Sequence, residues 1–469
     1  MNKYLKISWT IIIIGSIFIA IQVFSPSPQQ NDNLDLSNLP EVQKTQEEVI
    51  DIELPENYTE LIRNGDRFFA EGEFKIALKN YQRALSLDPQ NIELLTTISD
   101  TQLKNNQANE AKKTIQKALE IKPKSLELKL KLVQSYFNLR EIEKAKELIF
   151  QLDEDNLQVQ NYKGIILILA GEYDQAEKTF KKLSKSEDQE LAKQAQKYLN
   201  AKELFTYFQE GEEIHLKTLM AKALSENEQY EAAIPLLFSV IEEKLNYRDA
   251  WIVLGYSYLN TGKNQDAIDA LTQALVLDDE KAETLFFLGL SYLANEDINK
   301  AIFYIEKAEK AGFQPQEQVQ LKLGELYTIK ENYDQAASKF ENLLSSNPDS
   351  LNIFVRAVYL NIDKIQNPTK ALEIAKSSLI AHPDSAMGYN LIGWALTAKG
   401  EYELAENYLN KALNIDPRLD AANLNLGWLY EKKGVNMLAR EYYKKAYSLG
   451  QGNEISKRAS QRFNGLKEI

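Results

Sequence analysis

The sequence predicts an all-α solenoid of helix-turn-helix repeats preceded by one N-terminal transmembrane helix. Three observations carry that expectation: a composition rich in helix formers, small and aromatic residues returning about every 34 residues, and one uncharged apolar run near the N-terminus. Among 469 residues there are 12 Pro and no Cys, while 24 Tyr and 18 Phe are spread along the chain, as recurring packing positions require. A single hydrophobic core stops growing before this length, so a linear array fits better.

Composition also removes function classes. The formal charge of -13 argues against nucleic-acid binding, which needs a basic face to release counterions. Without Cys there is no disulfide, thiolate metal site or nucleophilic thiol. His215 and His382, far apart in sequence, leave little room for imidazole metal or triad chemistry. No Ser nucleophile elbow, phosphate loop or HExxH pattern is present. The expectation is therefore a non-enzyme with no cofactor, no metal and no nucleic-acid partner.

Taken in order, residues 1–24 read as a signal-anchor helix. The stretch from Ile7 to Phe24 carries no charge and as a helix extends about 27 Å, close to the hydrocarbon thickness of a bilayer. A cleaved signal peptide is the alternative, disfavoured by the length of the apolar core and by Pro26 and Pro28 after the small residues. Lys3 and Lys6 precede the span, and Lys44 is the lone cation of residues 25–55. That lysine bias places the N-terminus in the cytoplasm and the body on the extracytoplasmic side, periplasmic or extracellular. Residues 25–55, with Asp32, Asp35, Glu41, Glu47, Glu48, Asp51 and Glu53, are too polar to fold and read as a linker.

The repeats begin after Pro55. Residues 71–89 read Glu-Gly-Glu-Phe-Lys-Ile-Ala-Leu-Lys-Asn-Tyr-Gln-Arg-Ala-Leu-Ser-Leu-Asp-Pro. Residues 248–281 place Trp251, Gly255, Tyr258, Ala267, Leu271 and Ala274 at spacings that residues 386–419 repeat with Tyr389, Gly393, Leu396, Ala405, Leu409, Ala412 and Pro417. Gly289, Gly324 and Gly427 recur in phase, each followed three residues on by Tyr292, Tyr327 or Tyr430. This pattern resembles the tetratricopeptide repeat family. The small residues let two helices of a repeat approach closely, the aromatics fill the gaps, and Pro stops the second helix. Weaker units start at Ile92, Leu126, Leu157, Ile214 and Leu351, giving about eleven in all.

The expected organisation is an N-terminal array over 56–185, an irregular helical connector over 186–213, a C-terminal array over 214–450 and a capping helix over 451–469. The connector carries Leu191, Tyr198, Leu199, Leu204, Phe205 and Phe208 without the small-residue code. The cap, with Lys457, Arg458 and Arg462 beside Ile455, Ala459 and Phe463, covers the apolar face of the last repeat. Gly72, Gly171, Gly262, Gly400 and Gly434 read as turn residues between helices rather than a phosphate loop.

The family resemblance implies a right-handed superhelix whose inner wall is lined by the first helix of each repeat. The ninth position of each repeat runs Asp66, Asp100, Gln134, Ile165, Lys222, Tyr256, Leu290, Glu325, Tyr359, Trp394 and Trp428, polar at first and aromatic later. With Phe286, Asn390 and Asn425 nearby, the candidate peptide-binding groove is Tyr256, Phe286, Leu290, Tyr359, Asn390, Trp394, Asn425 and Trp428. Aromatic anchors dominate interfaces, and an Asn amide can bond the backbone of an extended peptide. The competing reading is that these rings pack between neighbouring helices. A carboxylate clamp is not expected in the first repeats, where Arg63 and Lys131 stand among Asp66, Glu93, Asp100 and Glu127. The resemblance implies a non-catalytic, membrane-tethered scaffold for a protein or peptide client, or alternatively an accessory substrate-binding subunit of a cell-envelope enzyme or an export or secretion complex.

Overall fold

The computed structural model describes residues 57–207 and 212–466, and among them the secondary structure is 24 α-helices with no strand. The expected anchor (1–24), the linker (25–55) and Phe208 of the connector lie outside the described residues. No helix among the described residues is long and apolar enough to cross a membrane.

The chain divides into two compact units, the boundary falling between Lys263 and Asn264. In the first, hairpins α1–α2 (Tyr58–Ala70, Phe74–Leu87), α3–α4 (Ile92–Lys104, Ala108–Ile121), α5–α6 (Leu126–Asn138, Ile142–Ile149) and α7–α8 (Leu157–Leu169, Tyr173–Leu183) follow one another. A single helix α9 (Gln189–Thr206) comes next, then α10–α11 (Glu213–Glu226, Tyr230–Glu243) and α12 (Arg248–Asn260). The second unit comprises α13 (Asn264–Leu277), α14–α15 (Ala282–Ala294, Ile298–Lys310) and α16–α17 (Gln316–Ile329, Tyr333–Ser346). It continues with α18 (Leu351–Tyr359), a π-helical turn (Leu360–Lys364), α19 (Pro368–Ala381), α20–α21 (Ala386–Lys399, Tyr402–Ile415), α22–α23 (Asp420–Lys432, Asn436–Gly450) and α24 (Glu454–Gly465).

Local chemistry sets the helix ends. Side chains at the N-caps accept from orphan backbone N–H groups: Asn91 from Leu94 at 2.9 Å, Ser385 from Gly388 at 3.1 Å, and Asn453 from Ser456 at 2.9 Å. Between the two helices of a repeat the chain turns through a left-handed residue. Gly72, Gly262, Gly400 and Gly434 supply it with φ of 76°, 75°, 84° and 75°. In other repeats Asn106, Arg140, Glu228, Glu296, Glu331 and Gln366 adopt φ between 56° and 62° at the same register, a conformation that costs a side-chain-bearing residue about 1–2 kcal/mol.

Close approach does the rest. A Cβ on Gly393 would stand 2.6 Å from Leu409 Cγ, and one on Gly427 would stand 2.5 Å from Tyr443 Cδ1, so only hydrogen fits where these helices cross. Ala77, Ala111, Ala145, Ala267, Ala405 and Ala439 occupy the matching place on the second helix of their repeats, each fully buried.

The first unit departs from simple stacking. Helix α9 stacks its buried Tyr198 on Phe180, ring centroids 4.3 Å apart. Helix α11 then packs against α5 and α7 as well as its own partner α10. Its sequence explains why it accepts burial on a broad face: Ala232, Ala233, Ile234, Leu236, Leu237, Val240 and Ile241 are all buried. The Arg140 guanidinium lies 3.9 Å from the centroid of Phe238 on the same helix.

Candidate functional site

In the second unit a cavity of about 320 Å³ opens against four helices. Helix α18 contributes Tyr359, α20 contributes Asn390 and Trp394, and α22 contributes Asn425 and Trp428. Five of the eight groove residues expected from sequence therefore share one cavity. Tyr256 sits in the first unit, buried and edge-on to Tyr230 with centroids 6.1 Å apart. Phe286 is 2% exposed and stacked on Phe313 at 4.1 Å, and Leu290 is buried too; neither lines this cavity.

The fourth wall is α24. Its start and body supply Asn453, Ile455, Arg458 and Arg462, so the helix expected as a cap also walls the cavity. Arg458 stands 34 residues after Leu424 and Arg462 34 after Trp428, so the inward register of the repeats continues through this helix. The family pattern stops at the last full repeat, which hides this from a repeat-by-repeat reading; extending the period by one more step finds both arginines.

Polar groups in the cavity are held in place by one another. The Asn425 side-chain amide donates to Asn390 Oδ1 at 2.9 Å, and Asn390 is buried. Arg458 forms an ion pair with Asp363 in the π-helical turn and lies 5.5 Å from the Tyr359 ring centroid. Arg462 lies 5.5 Å from the Trp428 centroid and pairs with Glu431 at 3.2 Å. Glu431 also accepts the Tyr443 hydroxyl; burial, then that carboxylate, push the Tyr443 phenol well above its ordinary range. Tyr359 and Trp394 tilt against each other at 36° with centroids 6.4 Å apart. Lys432 stands 5.9 Å from Trp428. Asp420 accepts from the Ala421 backbone N–H at 2.7 Å and from Asn453 Nδ2 at 2.8 Å.

The polar stripe of the first unit is satisfied internally. Asp66 accepts from the Tyr81 hydroxyl at 2.7 Å, Asp100 pairs with Lys131 at 2.8 Å, and Gln134 donates to the Tyr162 hydroxyl at 2.7 Å. Burial pushes the Tyr162 phenol up to about 12. Lys131 is thus held by Asp100, and Arg63 lies exposed beside Glu60. In the second unit Glu325 is held by Arg356 at 2.9 Å and Lys322 at 3.0 Å. Among the described residues no group of three or more His, Cys, Asp or Glu is placed to hold a metal ion.

Family models described as the tetratricopeptide repeat match residues 68–124, 218–282, 252–317, 318–350 and 388–419. The chain belongs to the tetratricopeptide repeat family. Among relatives of this tetratricopeptide repeat chain, the peroxisomal targeting signal receptor of Candida albicans is 27% identical over 202 residues, covering 40% of this chain and 33% of the relative. DnaJ homolog subfamily C member 3 of Gallus gallus is 24% identical over 291 residues, covering 57% and 55%. The chain thus spans about a third to a half of the length of these relatives. The crystal structure of the C-terminal part of a repeat protein from Cytophaga hutchinsonii aligns with a TM-score of 0.42 at 17% identity, over 54% of this chain and all of that one. Tetratricopeptide repeats are interaction scaffolds, and stacked repeats work through extended concave surfaces.

Proposed function

We propose that this tetratricopeptide repeat chain is a non-catalytic scaffold that holds a protein or peptide client in the cavity walled by Tyr359, Asn390, Trp394, Asn425 and Trp428. The observation that carries the reading is that three rings and an amide pair line one cavity, Tyr359 and Trp428 part-exposed and Trp394 and the amides buried. Rings give contact area with few rotamers to freeze, and the amides can bond a peptide backbone. The scaffold is tethered through residues 7–24, with the repeats on the extracytoplasmic side. Support for the tether is the uncharged apolar run, and support for the orientation is the lysine bias before it.

The client reading is tested by replacing Trp394 and Trp428 with Ala in the full-length chain. Client capture from membrane extracts is expected to fall by more than tenfold, each anchor contributing about 2 kcal/mol, while the thermal midpoint stays close to wild type. If both rings instead serve packing, the change costs roughly 3–5 kcal/mol of local stability and the second unit melts early. Retention in the membrane fraction through carbonate extraction tests the tether; recovery in the soluble fraction as a shortened chain refutes it.

A further inference from the structure

The cavity's charges specify more than a generic peptide. One guanidinium subsite is already built and already filled: Arg458 rests against the face of Tyr359 and pairs with Asp363. Planar guanidinium groups favour this combination of ring face and carboxylate because they are weakly hydrated and donate through a fixed fork. The same cavity is also lined by a ring and a carboxylate that carry no cation among the described residues. Trp394 is the one ring of its three that carries no cation among the described residues, whereas Tyr359 has Arg458 and Trp428 has Arg462 and Lys432. Asp420 accepts only from neutral donors, Ala421 N–H and Asn453 Nδ2, and among the described residues has no ion-pair partner.

Building on the client reading above, we propose that the cavity selects an extended peptide bearing an arginine side chain, whose guanidinium pairs with Asp420 while a neighbouring part of the segment covers Trp394. Asn390, buried and bonded to Asn425, fixes the orientation of the Asn425 amide at the wall of the cavity. The linker of this chain is the wrong occupant by charge: residues 25–55 carry Lys44 against seven carboxylates and no arginine. An anionic ligand meets Asp363, Asp420 and Glu431 at or beside the wall, and both arginines are already engaged with two of them.

The test is fluorescence anisotropy on the full-length chain in detergent, using a labelled, end-blocked Gly-Ala-Arg-Ala-Gly peptide and its citrulline and glutamate counterparts. The arginine peptide is expected to bind about tenfold or more tighter than the citrulline peptide, one charge-assisted contact. Asp420→Asn, which keeps the oxygen facing Ala421, removes that advantage, weakening the arginine peptide far more than the citrulline peptide. Arg458→Gln, which vacates the filled subsite and takes away a like charge, strengthens arginine binding severalfold; Arg458→Lys, which keeps the charge, does so less. Melting curves on each variant confirm folding.

Equal binding of arginine and citrulline peptides, both lost in Trp394→Ala, overturns the guanidinium inference and leaves the client reading intact. Preference for the glutamate peptide, or tighter binding of a peptide spanning residues 25–55, overturns it as well. No binding of any peptide, with Trp394→Ala only lowering the melting temperature, removes both.

Discussion

Replacing Gly427 by Ala adds one methyl group at the tightest crossing in the last repeat. The new Cβ would lie 2.5 Å from Cδ1 and 2.6 Å from Cε1 of Tyr443, against an ordinary carbon–carbon separation of about 3.5–4.0 Å. About 1 Å has to be found. The ring cannot supply it by swinging away, because Tyr443 is fully buried and its hydroxyl is bonded to Glu431, which also holds Arg462. Helices α22 and α23 must therefore part. Overpacking of this kind costs about 1–3 kcal/mol, while Ala improves on Gly in a helix by about 1 kcal/mol. With so rigid a neighbour the net expectation is a loss of about 1–2 kcal/mol. Hydrogen exchange on the full chain should show protection falling across α20 to α24 while α1 to α8 keep theirs. Shrinking the partner in Gly427→Ala/Tyr443→Leu should give strongly non-additive losses. Gly262→Ala is the contrast: it meets no atom within 4 Å, so its loss comes from backbone strain alone. Unchanged or higher stability of Gly427→Ala would show that the crossing is looser than the packing argument requires.

Other consequences are checked as simply. Glu331→Gly relieves a left-handed turn residue at φ 59° and should stabilise the second unit by about 0.5–1 kcal/mol in thermal melts; a lower melting temperature would contradict the strain argument. Burial, opposed by Lys104 and Lys263, holds the Glu231 carboxyl above its ordinary range. The folded chain thus binds a proton that the unfolded chain has released, so this group's stabilisation is full below the ordinary carboxylate pKa and is lost as pH rises through the elevated one. Glu231→Gln should flatten that part of the decline and melt later than wild type at pH 8, and an unaltered slope between pH 5 and 8 would count against it. Arg356→Ala removes a partly exposed bond to Glu325 and should cost about 1 kcal/mol or less, shrinking further in high salt.

What the sequence disclosed and what it hid divide along contact distance. Gly393, Gly427 and the alanines opposite them announce a helix crossing because each contact is made within one repeat, some sixteen residues apart, as with Gly427 and Tyr443. Turn glycines such as Gly72 and Gly400 are equally local, and their left-handed φ follows from the need to reverse the chain. The placement of Tyr359, Trp394 and Trp428 on one wall needs only the period. Phe286 misleads that reading: it has the inward register, yet Phe313, reaching in from the turn after α15, stacks on it and takes it into the packing. The Arg458–Asp363 pair joins residues 95 apart and depends on the curvature accumulated over three repeats, which no single repeat encodes. The packing of α11 on α5 and α7 depends on where α9 redirects the path. Its one trace in the sequence is that α11 carries a broader apolar face than a hairpin partner alone can cover.

Lodged against α5 and α7, α11 gives the first unit a mechanical property that a plain stack of hairpins lacks. Such a stack behaves as a spring, each hairpin tilting slightly on the next as the ends are drawn apart. A strut from a later coil to earlier ones prevents that extension, since α11 and the Arg140–Phe238 contact must shear loose before the coils can open. Under tension on the first unit, these contacts are therefore expected to part before its coils can open.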